Sequence, residues 1–219
     1  MWAEQMDLLP GSTWAPTLYR LGSSTKEWAA EALRLTMDTR LIVVGCSIGG
    51  ACALEVAAAT PEQVAALVLI GTKAAHRPDP ALHASALDLI ESEGIDAAWA
   101  AYWAPLFSNS ADPAVVEAAQ HVARRQLSAD IARGVTVFHG RPSRDAFAKD
   151  WSGRMVVVTG EDDPAPGPEA SAALAAAAPQ GRCHIIPSCG HYVPIEQPQA
   201  LRAILTELIN VQCDQDRIR

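Results

Sequence analysis

The amino-acid sequence predicts an α/β fold with a mostly parallel sheet, and three observations carry the prediction. Three short apolar runs, "RLIVVG" at 40–45, "ALVLIGT" at 66–72 and "MVVVTGEDD" at 155–163, are continuous, rich in β-branched residues and interrupted by glycine at their ends. Strands covered by helices on both faces read this way, because neither face can be polar. Stretches with helical spacing of apolar residues separate the runs, so strand and helix alternate. A hydrophobic share of 49% over 219 residues suits one well-buried domain.

In chain order, "WAPTLYRLG" at 14–22 is a further candidate strand, at an edge or irregular because Pro16 cannot donate to a ladder. "STKEWAAEALRLTM" follows as a helix, with Ser24 or Thr25 as N-cap. After the 40–45 strand, "GGACALEVAAATPEQ" reads as a helix that stops before Pro61. Beyond the 66–72 strand the alternation breaks. Residues 73–150 carry "DPALHASALDLIESEG", "IDAAWAAYWAPLF" and "DPAVVEAAQHVARRQ", helix-like and without a convincing strand. They are expected to form a helical cap inserted into a core made of residues 1–72 and 151–219. The 155–163 strand leads through "GPEASAALAAAAP", a helix, to a weaker strand in "CHIIPSCGH" at 183–191. "QPQALRAILTELINV" closes the fold, and the polar "CDQDRIR" is expected to fray.

A formal charge of -8 with no local basic cluster argues against nucleic acid and anionic lipid as partners. No apolar stretch reaches the length of a membrane span. Cys46, Cys52, Cys183, Cys189 and Cys213 contain no Cys-x-x-Cys pair, so neither a disulfide framework nor a zinc site is indicated. The opening "MWAEQMDLLPGSTW" lacks the basic-then-apolar order of a signal peptide, and a reducing cytoplasm is the expected setting.

Gly45-Cys46-Ser47-Ile48-Gly49 fits G-x-S-x-G at the junction of a strand and a helix. A serine held on so tight a turn needs small neighbours two residues to either side, or side chains would collide. The helix start behind it favours developing negative charge. A serine hydroxyl also needs a base, and the base an orienting acid. Glu161, Asp162 and Asp163 follow one predicted strand, and His191 follows the last. The C-terminal ends of parallel strands share one edge, so the order Ser47, acid, His191 can converge there. As a phosphate-binding turn the glycine-rich bend lacks both G-x-G-x-x-G and a following lysine. His76, His83, His121, His139 and His184 show no metal-ligand spacing.

These motifs together resemble the α/β-hydrolase superfamily, in its branch of small esterases, lactonases and acyl-carrier-protein methyl esterases. "GCSIGG" resembles the nucleophile elbow, "VVVTGEDDP" the acid loop, "GHYVPIEQP" the histidine loop, and "WAPTLYRLGSS" the stretch that often reads "APDLRGHGRS". The resemblance implies Ser47 as nucleophile, His191 as base and Asp163, rather than Asp162, as acid. It implies the Ile48 amide as one oxyanion-hole donor, structural roles for Glu196 and Pro198, and no metal or organic cofactor. Trp2 matches a tryptophan that three strands and a His-Gly oxyanion loop precede in the family, so an N-terminally shortened fold is expected. A second donor is then unnamed, and homodimerisation through an open sheet edge, or poor solubility, is expected.

The expected activity is hydrolysis of a carboxylic ester, thioester or lactone on a small-molecule acyl substrate, free or carrier-bound. A non-catalytic hydrolase-fold binding protein is the alternative. Trp99 and Trp103 either line an acyl pocket or form the cap's own core. Cys46 and Cys189 read as packing residues.

Overall fold

The computed structural model describes residues 1–36 and 40–217, with side chains to residue 212. Four parallel strands, β1 (Leu41–Cys46), β2 (Val64–Ile70), β3 (Arg154–Gly160) and β4 (Gly181–Ile186), lie in the order β1-β2-β3-β4. Residues 66–70 of β2 are wholly buried, as are Met155, Val157 and Val158 of β3. Their unbroken hydrophobicity follows from burial on both faces.

The period of two then sorts the side chains. Leu67, Leu69, Met155 and Val157 face one core with Trp28, Leu54 and Trp151. Ala66, Val68, Ile70, Val156 and Val158 face the other, with Cys189, Val193 and Leu201. The first face is covered by α1 (Thr25–Leu33), α2 (Ile48–Ala59) and, further along the chain, a helix at Gly167–Ala177. Ser24 is the N-cap of α1, its hydroxyl accepting from Glu27 N at 3.2 Å. Met37, the end of the expected first helix, lies outside the described residues.

Between β2 and β3 the described residues form helices and no strand. These are α3 (Pro80–Ser92), α4 (Gly94–Ala98), α5 (Pro113–Arg124), α6 (Ser128–Gly140) and α7 (Asp145–Asp150). Asp79 and Asp112 cap α3 and α5 through their carboxylates, each with proline next in the chain. A π turn, Trp99–Trp103, and a 3-10 turn, Ala104–Leu106, follow α4. The Gly167–Ala177 helix is α8; α9 (Val193–Glu196) and α10 (Pro198–Arg217) complete the chain. The helix therefore extends to Arg217, into the stretch expected to fray.

Residues 14–22 are not a strand. They hold a 3-10 turn at Leu18–Arg20 and pair with no strand, so within the described residues β1 pairs with β2 alone. Pro16 removes a ladder donor, and Leu18, Tyr19 and Leu21 gain more by packing on the Trp28 core. Among the described residues no helix is long and apolar enough to cross a membrane.

Candidate active site

The C-terminal ends of the four strands deliver the chemistry-bearing residues to one edge. Backbone pairing continues past the strands, with Ser47 N donating to Ile70 O at 2.8 Å, Gly71 N to Val158 O at 3.0 Å and Glu161 N to Ile186 O at 2.8 Å. The loops that follow therefore start from fixed positions.

Ser47 joins β1 to α2 at φ 54° and ψ −120°. This left-handed φ is strained for a residue with a Cβ and persists only where the surroundings impose it. Serine before a helix usually spends its hydroxyl on a cap, but here it makes no cap bond. A Cβ on Gly45 would stand 2.2 Å from Gly49 O, so the strand can approach the helix only as glycine. On Gly49 the same atom would meet only Leu18, at 3.8 Å. The tight position is Gly50, where a Cβ would lie 1.9 Å from Thr72 Oγ1. Crowding thus falls one residue later than the motif suggests. Thr72 Oγ1 in turn lies 3.1 Å from Ser47 O and 3.0 Å from Ile70 O, bracing the turn. Ile48 opens α2, so its amide is among those a helix leaves without an internal acceptor.

Asp163 and His191 form a buried pair, 4% and 3% exposed. His191 Nδ1 lies 3.1 Å from Oδ1 and 3.2 Å from Oδ2 of Asp163. A carboxylate accepts only, so Nδ1 donates, and in the neutral imidazole the lone pair then falls on Nε2. Ala165 N donates to Asp163 Oδ1 at 2.8 Å, and Thr159 Oγ1 lies 3.3 Å from Oδ2. These contacts fix the carboxylate. Asp162 turns elsewhere, accepting from Ser108 Oγ at 2.5 Å. Gly71, at φ 53°, leaves room for the imidazole: a Cβ there would stand 2.8 Å from its Cε1 and Nδ1. Among the described residues no hydrogen bond joins the Ser47 hydroxyl to His191.

Burial surrounds the pair. Cys46 Sγ approaches His191 O at 3.9 Å, and burial pushes its thiol well above the ordinary range. Burial likewise raises the Cys189 thiol to about 12, so both stay protonated and pack as small apolar groups. The Tyr192 ring meets His191 edge-on at 5.1 Å and Phe107 at 4.7 Å, and Phe107 meets Trp99 at 5.9 Å. Burial raises the Tyr192 phenol too, keeping it a donor. Trp99 thus reaches the site through Phe107, whereas Trp103 packs on the Ile90, Ala98 and Ile131 cluster of the helical segment. Among the described residues no three His, Cys, Asp or Glu side chains are placed to hold a metal ion.

Residues 1–204 match the family described as the alpha/beta hydrolase family. The chain belongs to the alpha/beta hydrolase family. Its fold is similar to that of a thermophilic esterase from Thermogutta terrifontis, at TM-score 0.76 and 24% identity over 85% of this chain and 72% of that one. The enol-lactonase from Burkholderia xenovorans LB400 gives TM-score 0.74 and 19% identity, covering 91% and 77% of the two chains. MenH from S. aureus gives 0.73 and 15%, covering 91% and 79%. At these identities the likeness concerns the fold. No curated protein matches the sequence.

The features that sequence reasoning missed are Gly71, Thr72 and Ser108. Gly71 ends a quoted strand run, "ALVLIGT", and a glycine there could have signalled a close approach. Ser108 carries no local signal.

Proposed function

We propose that the chain is a serine hydrolase acting on a carboxylic ester, thioester or lactone. The observation that carries this reading is a strained serine, its hydroxyl unused by the helix cap, on the same sheet edge as a buried His191–Asp163 pair. Ser47 Oγ attacks the acyl carbon while His191 Nε2 takes its proton. Asp163 holds Nδ1–H and offsets the positive charge that the imidazolium acquires. The oxyanion of the tetrahedral intermediate accepts from the Ile48 amide, within the field of the α2 start. The imidazolium protonates the leaving oxygen or sulfur, and the acyl group remains on Ser47. Water, deprotonated by His191, then releases the acid and restores the serine. The substrate is a small acyl compound, free or on a carrier.

One observation favours a second reading, a hydrolase-fold protein that binds without turnover: among the described residues the Ser47 hydroxyl and His191 are not hydrogen-bonded. Hydrolysis of short p-nitrophenyl esters separates the two. The hydrolase reading expects Ser47→Ala to lower kcat by at least about a thousandfold. Equal rates in parent and variant would overturn it.

A further inference from the structure

Residues 106–108, carried by the helical segment between β2 and β3, touch both loops that supply the buried pair. Leu106 O accepts from His191 N at 2.8 Å. Ser108 N donates to Glu196 Oε2 at 2.9 Å, and the same carboxylate accepts from Gly190 N at 2.9 Å and Tyr192 N at 3.0 Å. Ser108 Oγ donates to Asp162 Oδ2 at 2.5 Å. Phe107 packs on Tyr192 at 4.7 Å. A Cβ on Gly190 would stand 2.4 Å from both Leu106 O and Ser108 N, so the segments are in direct backbone contact.

The pattern is selective. The residues on either side of His191 are tied to Glu196, and through it to Ser108. The residue before Asp163 is tied to Ser108 directly. Ser108 is 5% exposed, so water does not replace these bonds cheaply. We propose that the 106–108 segment is a clasp that sets the placement of His191 against Asp163, with Ser108 as its positioning residue. The proposal deepens, and for its catalytic consequence rests on, the hydrolase reading above.

The titratable groups packed about the His191 loop are Asp163, which bonds the ring, Tyr192, which meets it edge-on, the Cys46 thiol near His191 O, the neighbouring Cys189 thiol, Glu196, which accepts from the amides of Gly190 and Tyr192, and Asp162 beside Asp163. Ser108→Ala changes none of these charges. A change in the Nδ1 proton resonance of His191 in that variant therefore reports movement of the ring relative to Asp163. The direction follows: a longer Nδ1–H···O bond deshields the proton less, so the resonance moves upfield.

The test follows the Nδ1 proton of His191 by NMR at one pH, beside the rate at which a fluorophosphonate labels Ser47. The clasp predicts that Ser108→Ala moves that resonance upfield by about 0.5 ppm or more and slows labelling about tenfold. Ser108→Thr, which keeps a hydroxyl, restores both. A folded Ser108→Ala protein with the resonance within about 0.2 ppm and labelling within about twofold of the parent overturns the clasp. So does a shift that Ser108→Thr fails to reverse. Should Ser108→Ala not fold, Ser108→Cys, close to serine in volume but a weak donor, is read by the same criteria. A parent protein that is never labelled at Ser47 would refute the hydrolase reading alone, because the Nδ1 proton resonance still decides the clasp.

Discussion

Replacing Gly71 by alanine adds one methyl group at the point where the chain beyond β2 passes under the imidazole. The new Cβ would stand 2.8 Å from Cε1 and Nδ1 of His191 and 3.3 Å from Asp163 Oδ2, where ordinary contact begins at 3.4 Å. The ring has to retreat by about 0.6 Å while its partner is pressed from the same side. Nδ1 already sits 3.1 Å from Oδ1, so such a retreat weakens or breaks the bond that orients it. Misplacement on this scale costs on the order of a hundredfold in turnover. Alanine at φ 53° adds about 1–2 kcal/mol of backbone strain, too little to unfold an ordinary domain. The assay is kcat for p-nitrophenyl acetate beside urea unfolding of the same preparation. A folded Gly71→Ala protein with kcat within threefold of the parent would refute the argument that this glycine makes room for an imidazole that acts as the base in the proposed reaction.

Three further outcomes concern the scaffold. Glu55, 4% exposed, accepts from Arg144 Nε at 2.8 Å and Nη2 at 2.5 Å, and these bonds hold the guanidinium above its ordinary range. Arg144→Ala strands that buried carboxylate and should cost about 3 kcal/mol in urea unfolding, most of it recovered by pairing Arg144→Met with Glu55→Met. Trp28 is wholly buried and donates Nε1–H to Gly22 O at 3.0 Å, so Trp28→Phe, losing both volume and the bond, should cost about 2 kcal/mol by the same measurement. His139 stacks on His83 at 5.0 Å, and burial first, then the neighbouring His83, Arg141 and His76, hold it below its ordinary 6.5. The unfolded chain then binds more protons between the two values. Stability falls as pH drops through 6.5 towards the lowered value and then levels. The fall in Tm from pH 7.5 to 5.5 should be smaller in His139→Gln than in the parent.

The sheet was legible because burial on both faces leaves an unambiguous trace. All four strand runs lie where the apolar β-branched stretches are, displaced by one or two residues at most at their starts. Residues 14–22 misled because apolar side chains at a turn and in an edge strand look alike locally. Only the absence of a neighbouring strand separates them, and Trp14 stands 45% exposed rather than packed in a sheet. Within the site, Ser47 was legible from residues next to it in the chain, since a strained turn constrains its own neighbours. The approach of Asp163, rather than Asp162, to His191 depends on how two loops fold back, and no spacing encodes that. Ser108 lay beyond reach: the two partners that tie it to the site, Asp162 and Glu196, are 54 and 88 residues away, and a loop serine leaves no periodic signal. The two tryptophans were equivalent by spacing, yet a π turn directs them to different neighbours.

Intact-mass analysis after exposure to a fluorophosphonate, followed by peptide mapping, tests the central claim most directly. The account predicts one covalent adduct, on Ser47, formed at least about a hundredfold more slowly when His191 is replaced by alanine. A folded protein that gains no adduct, or gains it on Ser47 equally fast without His191, would contradict it.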